Sequence, residues 1–148
     1  MLLVLLLPTA FAQKITVQNE ASKQTVLSRA DMEGLPRVRV SSGSGGAIYE
    51  GADLRAVLEK GGVDLGASMK GKKMASCLLV EAADGYRVVI ALPEIDAAFT
   101  DKQFVLAFLR DGKAMDDAEG PYRLVIPEEK RMARWVRQVK QLKIVAVQ

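Results

Sequence analysis

The stretch "ASCLLVEAADGYRVVIAL" (residues 75–92) decides how the chain folds. Apolar residues crowd both of its halves, and between them stands Asp84-Gly85, a pair suited to the left-handed backbone of a tight hairpin turn. The pattern predicts two antiparallel strands joined there by a type I′ turn, with Tyr86 directly after it. A tyrosine beside a turn usually sits at a rim, its ring on apolar neighbours and its hydroxyl toward water. A hairpin in mid-chain makes a sheet the organising element, and both flanks supply further strands.

Downstream, Pro93 suits the first position of a short helix in "PEIDAAF" (93–99), because its φ is preset and its missing N–H is not needed there. "QFVLAFLRDGKAM" (103–115) reads as a strand and turn with a second Asp-Gly pair at Asp111-Gly112. "GPYRLVIP" (120–127) reads as a strand bounded by prolines, and "QLKIVAV" (141–147) as the closing strand. Upstream, "KITVQ" (14–18) and "RVRV" (37–40) are strands. Ser28 with Asp31 makes a capping-box-like start to a short helix that Gly34 and Pro36 end. In "GADLRAVLEKGGV" (51–63), Leu54, Val57 and Leu58 share one helical face, closed by Gly61-Gly62. Many strands and three short helices give an α+β domain with a mixed, mostly antiparallel, barrel-like sheet.

At 148 residues the chain is the size of one domain, long enough to bury a real core. It contains no histidine, which removes the commonest general base, the commonest metal ligand and the Ser-His and Cys-His nucleophile pairs. The single Cys77 has no partner for an intrachain disulfide, and the default reading is a small apolar core thiol; a reactive or metal-bound thiol is the alternative. "MLLVLLLPTAFA" (1–12) is uncharged, ends in an A-x-A pattern, and is too short for the roughly 20 residues of a bilayer span. It reads as an export signal cleaved between Ala12 and Gln13, which leaves a domain at 13–148, periplasmic or secreted, without a transmembrane anchor. The alternative is a buried N-terminal strand, and the true start may lie upstream, since no Lys or Arg precedes the apolar run.

The net charge is only +3, but Lys130, Arg131, Arg134, Arg137, Lys140 and Lys143 all fall in the final nineteen residues. A solvated basic edge is the first reading of that run. An anion pocket built from Arg123, Arg131 and Arg134 comes second. Nucleic acid is not expected, because only Trp135 offers a stacking ring. Two glycine-rich stretches fail as phosphate loops. "GSGGAI" (43–48) has Ile48 where a dinucleotide fingerprint needs its third glycine, and it opens no helix. "GASMKGKK" (66–73) has Lys73 where a Walker motif needs a hydroxyl for magnesium, and a strand follows it.

The order of segments says more. "YEGADLRAVLEKGGV", "ADGYRVVIALPEI", "FVLAFLRDGKAM", "EGPYRLVIP" and "RWVRQVKQLKIVAV" together resemble the molybdopterin-binding domain of the sulfite oxidase family, over Ser28 to Val147. The resemblance implies that family's fold and a molybdenum centre carried on a pterin with a phosphate tail. It implies that Tyr86 matches the active-site tyrosine, Arg123 the arginine of the Pro-x-Arg strand, and Arg134 and Trp135 the basic-Trp pair near the cofactor's phosphate; Arg131 enters from the anion-pocket reading of the basic run. In the family the strand after the short helix runs into a loop holding the metal's cysteine, followed by arginines for an oxyanion substrate. Here "VRVSSGSGGAIYEG" (38–51) holds no cysteine, and a serine hydroxyl is a poor substitute for a soft thiolate.

Three readings follow. The first is an exported, minimal domain without the usual metal ligand, binding a pterin or small anion or serving a periplasmic protein partner. It expects Arg123 and Arg134 to converge on one concavity. The second is an active molybdopterin-dependent oxidoreductase acting on a small oxyanion or sulfoxide-type substrate, with Cys77 on the metal near Tyr86. The third is a protein-interaction scaffold. Whether the chain is an enzyme stays open among them. The cofactor expectation is molybdopterin, with no residue assigned to molybdenum except Cys77 as the outside alternative.

Overall fold

The computed structural model describes residues 13–147, so the expected export signal at 1–12 lies outside the described residues. The strands are β1 (Ile15–Gln18), β2 (Gln24–Leu27), β3 (Arg37–Ser41), β4 (Ile48–Asp53), β5 (Ser76–Ala82), β6 (Arg87–Ala91), β7 (Val105–Arg110), β8 (Lys113–Ala114), β9 (Arg123–Val125) and β10 (Val139–Ala146), with helices α1 (Arg29–Glu33) and α2 (Leu54–Lys60). The third expected helix is a single 3-10 turn at Leu92–Ile95, with Pro93 in its first turn.

The strands form two sheets. One has the order β2-β1-β10-β5-β6, the other β3-β4-β7-β8, with β9 also on β7. The β1–β10 pair is parallel and the other pairings are antiparallel, as the sequence led us to expect. Neither sheet closes into a barrel. β10 lies in the middle of its sheet, so the basic C-terminal run is not an edge: Lys140 and Lys143 ride on a central strand whose Val139, Leu142 and Ile144 are buried.

Both Asp-Gly pairs make hairpins, but of different kinds. Asp111 (φ 50°) and Gly112 (φ 76°) are both left-handed, and Arg110 pairs with Lys113, which is a two-residue type I′ turn. At the central hairpin only Gly85 is left-handed (φ 89°), and Ala82 N donates to Tyr86 O, so the loop has three residues and ends on a left-handed glycine. That corrects the two-residue turn expected there.

Helix α1 opens with the Ser28–Asp31 capping box in full, and α2 is capped by the Asp53 side chain and buries Leu54, Val57 and Leu58. Along β5, burial alternates: Ser76, Leu78, Val80 and Ala82 face the core, Cys77, Leu79 and Glu81 the other side. Cys77 is therefore a half-buried residue of the sheet's outer face, between Ala91 and Val145, and not a core thiol. Core residues of both sheets and both helices meet in one apolar cluster. Gly51 explains one spacing in the sequence: a Cβ there would stand 2.1 Å from Leu106 O and 2.5 Å from Ala107 Cα. The close β4–β7 approach needs that glycine, between Tyr49 and the buried Leu54.

Candidate functional site

Four segments meet around Arg123. β9 pairs through one edge with β7. Through the other, Leu124 N donates to Val136 O and Val139 N to Tyr122 O, both at 2.9 Å. Ala83 N donates to Gln138 O at 2.9 Å, which draws the central hairpin against the same stretch. β4 brings Tyr49.

Arg123 is 6% exposed, so its charge needs partners. Its Nη1 donates to Glu119 Oε1 at 2.5 Å and to the Tyr49 hydroxyl at 2.8 Å. The Tyr49 hydroxyl in turn donates to Glu119 Oε1 at 2.6 Å, and Arg110 Nη1 donates to Glu119 Oε2 at 3.0 Å. Burial works against the charge on Glu119, but the hydrogen bonds from Tyr49, Arg123 and Arg110 outweigh it and hold its pKa at about 2, below an ordinary 4.5. Burial, with Glu119 beside it, pushes the Tyr49 hydroxyl up. The Trp135 ring stands edge-on to Tyr49 at 6.1 Å, and the guanidinium carbon of Arg123 lies 5.6 Å from the Trp135 ring.

Within this network one group is unsatisfied. Arg123 Nε is buried and has no hydrogen-bond partner among the described residues. The guanidinium's hydrogen bonds all use Nη1, which leaves Nε and Nη2, the edge that matches two oxygens of a carboxylate or phosphate. Arg123 lines a cavity of about 300 Å³, together with Ala82, Asp84 and Tyr86 of the hairpin and Met132, Ala133, Trp135 and Arg137 of the stretch before β10. The lining side chains carry two cations, Arg123 and Arg137, against one acid, Asp84.

The structure brings together three of the residues singled out from sequence: Tyr86, Arg123 and Trp135. Arg134 stands apart. Its Nε donates to Glu129 Oε1 at 2.8 Å, its Nη2 also meets Glu129 and lies 3.6 Å from Glu94, and its Nη1 donates to Val89 O at 3.4 Å. The expected convergence of Arg123 and Arg134 on one concavity is therefore not what the fold builds: Glu129 and Glu94 take Arg134, and Arg137 holds the second cationic position. Arg131 is exposed and does not line the cavity, nor does Cys77. Sequence reasoning passed over Glu119, Tyr49, Arg110 and Arg137. Glu119 lies four residues before Arg123, but no helix spans the two, so their contact depends on the turn before β9.

A larger open groove, about 1080 Å³, lies at the other end of β5 and β10 and shares no residue with this cavity. Its half-buried cation, Lys73, is already held by Glu20 at 2.9 Å and by Ser68 and Asp64. Among the described residues, no group of three or more His, Cys, Asp and Glu side chains is placed to hold a metal ion, and no helix is long and apolar enough to cross a membrane.

Comparison with known proteins gives the family and the fold. The sequence profile of the oxidoreductase molybdopterin binding domain matches residues 9–148. No curated protein matches the sequence. Among solved structures, the sulfane dehydrogenase SoxCD from Paracoccus pantotrophus superposes with a TM-score of 0.66 at 21% identity, covering 90% of this chain and 39% of that one. At that identity the likeness is one of fold. The chain spans about two fifths of the length of the SoxCD chain.

Proposed function

The chain belongs to the oxidoreductase molybdopterin-binding domain family, and we propose that it serves as a binding domain and not as a redox catalyst. It takes a small anion, the phosphate end of a pterin included, on the free edge of Arg123. The observation that carries this reading is the buried, unpartnered Nε on a cavity wall that also carries Arg137. A guanidinium edge suits a phosphate or carboxylate, because two parallel hydrogen bonds add geometry to charge.

The molybdenum half of the family's cofactor fits poorly. The cavity wall has no thiolate, imidazole or carboxylate cluster, Cys77 sits on the outer face of the sheet, and the 41–47 loop between β3 and β4 carries no cysteine. A cavity of about 300 Å³ is also at the small end for a whole organic cofactor. Export, from residues 1–12, and an accessory role beside a periplasmic partner belong to the same proposal.

The test is mature protein made in a host that synthesises the molybdenum cofactor. Molybdenum is measured by elemental mass spectrometry, released pterin by fluorescence after oxidation, and inorganic phosphate is titrated against Trp135 fluorescence. The expected result is no stoichiometric molybdenum, and a phosphate response in the wild type that Arg123→Lys loses at unchanged melting temperature. Stoichiometric molybdenum would overturn the reading in favour of the enzyme. Absence of any phosphate response would leave the interaction scaffold.

A further inference from the structure

Arg123 Nε lacks a partner, yet it is sealed from solvent. An anion that reaches it needs a wall of the cavity to move. One wall of the cavity that Arg123 lines is the 3-10 turn Met132–Arg134, whose Met132 and Ala133 border it and lead straight into Trp135. Met132 is 52% exposed, so the turn's outer side has little packed over it.

Two anchors hold the turn. On the side away from the cavity, Arg134 is fixed by Glu129, Glu94 and Val89 O. On the cavity side the described residues show one hydrogen bond, from the Tyr86 hydroxyl to Ala133 O at 2.6 Å. Tyr86 stands on the opposite wall, at the start of β6, so this bond spans the mouth between hairpin and turn. The ring is 49% exposed and is not buried in core packing.

We propose that Tyr86 is a latch: its hydroxyl holds the Met132–Arg134 turn closed over Arg123, and release of that bond admits an oxyanion to the Nε edge. This rests on the anion-binding reading above. In the closed state the hydroxyl is spent on a backbone carbonyl. Once the turn lifts, the guanidinium edge faces open space and can donate to the anion's oxygens. Tyr86 is a positioning residue in the closed protein, and the anion is bound by Arg123.

Tyr86→Phe keeps the ring and removes only the latch. Trp135, the chain's one tryptophan, reports on both consequences. Its ring is 4% exposed, with Nε1–H donated to Ile126 O, so neutral acrylamide reaches it only when the turn opens. Losing one net hydrogen bond shifts an open–closed equilibrium by about fivefold. Tyr86→Phe is therefore expected to raise both the acrylamide quenching constant and the apparent phosphate affinity by up to about fivefold, with the melting temperature nearly unchanged.

Unchanged quenching overturns the latch. Increased quenching with equal phosphate affinity in the two proteins overturns the claim that the latch controls access, while the anion reading stands. Increased quenching with no phosphate response in either protein overturns the anion reading, and with it the gating role. A weaker phosphate response in Tyr86→Phe overturns the latch in favour of Tyr86 as a direct ligand.

Discussion

At Arg123 two demands meet: a buried guanidinium must be neutralised, and one of its edges is left unused. Glu119 meets the first demand, so replacing Arg123 by Met strands a carboxylate that keeps only Tyr49 and Arg110. Breaking such a pair costs about 3 kcal/mol, whereas removing both charges together costs less. Urea unfolding of Arg123→Met, Glu119→Gln and the double variant measures this. The double variant is expected to be more stable than Arg123→Met alone, and strictly additive losses would show that the two side chains are not coupled. Glu119 also sets an acid limb. Its pKa falls from an ordinary 4.5 to about 2 on folding, so its contribution is complete above about pH 4.5 and disappears as the pH drops toward 2. Urea midpoints across that window should fall for the wild type and fall less for Glu119→Gln. From the sequence alone Arg123, Tyr86 and Trp135 could be picked out, because each sits in a recognisable segment. Glu119 could not, because its role comes from a turn that folds it back onto β9.

Elements were legible where local chemistry dominates. Ser28 and Asp31 announced the capping box that starts α1, and Ser28→Ala is expected to lower stability by about 1 kcal/mol in thermal or urea unfolding. The Asp-Gly pairs announced hairpins, although only Asp111-Gly112 has both residues left-handed; at Asp84-Gly85 the loop took a third residue, a choice made by the register of β5 against β6. Gly51 is different in kind. Its need arises from β7, more than fifty residues later in the chain, whose backbone at Leu106 and Ala107 leaves no room for a methyl group. Gly51→Ala forces β4 and β7 apart, and a loss of about 3 kcal/mol is expected in urea unfolding. A loss under about 0.5 kcal/mol would mean that the strands slide at no cost.

Across the whole molecule, β10 is the element that joins the two ends of the chain. It pairs in parallel with β1 and antiparallel with β5, and the stretch just before it carries the hydrogen bonds that hold β9. A chain ending at Gln138 loses the middle strand of one sheet, and it is expected to show no cooperative thermal transition by circular dichroism. A surviving sharp transition would show that the second sheet folds without the first. The sequence by itself determined most of the strands, the caps, most of the turns and the chemistry that is missing, since periodicity, turn residues and the absence of histidine are local or compositional facts. Only the tertiary structure decided which arginine is free to bind. Arg123 and Arg134 look alike in sequence, but packing sets Glu129 and Glu94 around one and satisfies the other only on its Nη1 side. Glu119 and Glu129 lie only four and five residues from their arginines, but the turns between them set which guanidinium nitrogens each reaches, and Tyr49 and Glu94 come from distant segments.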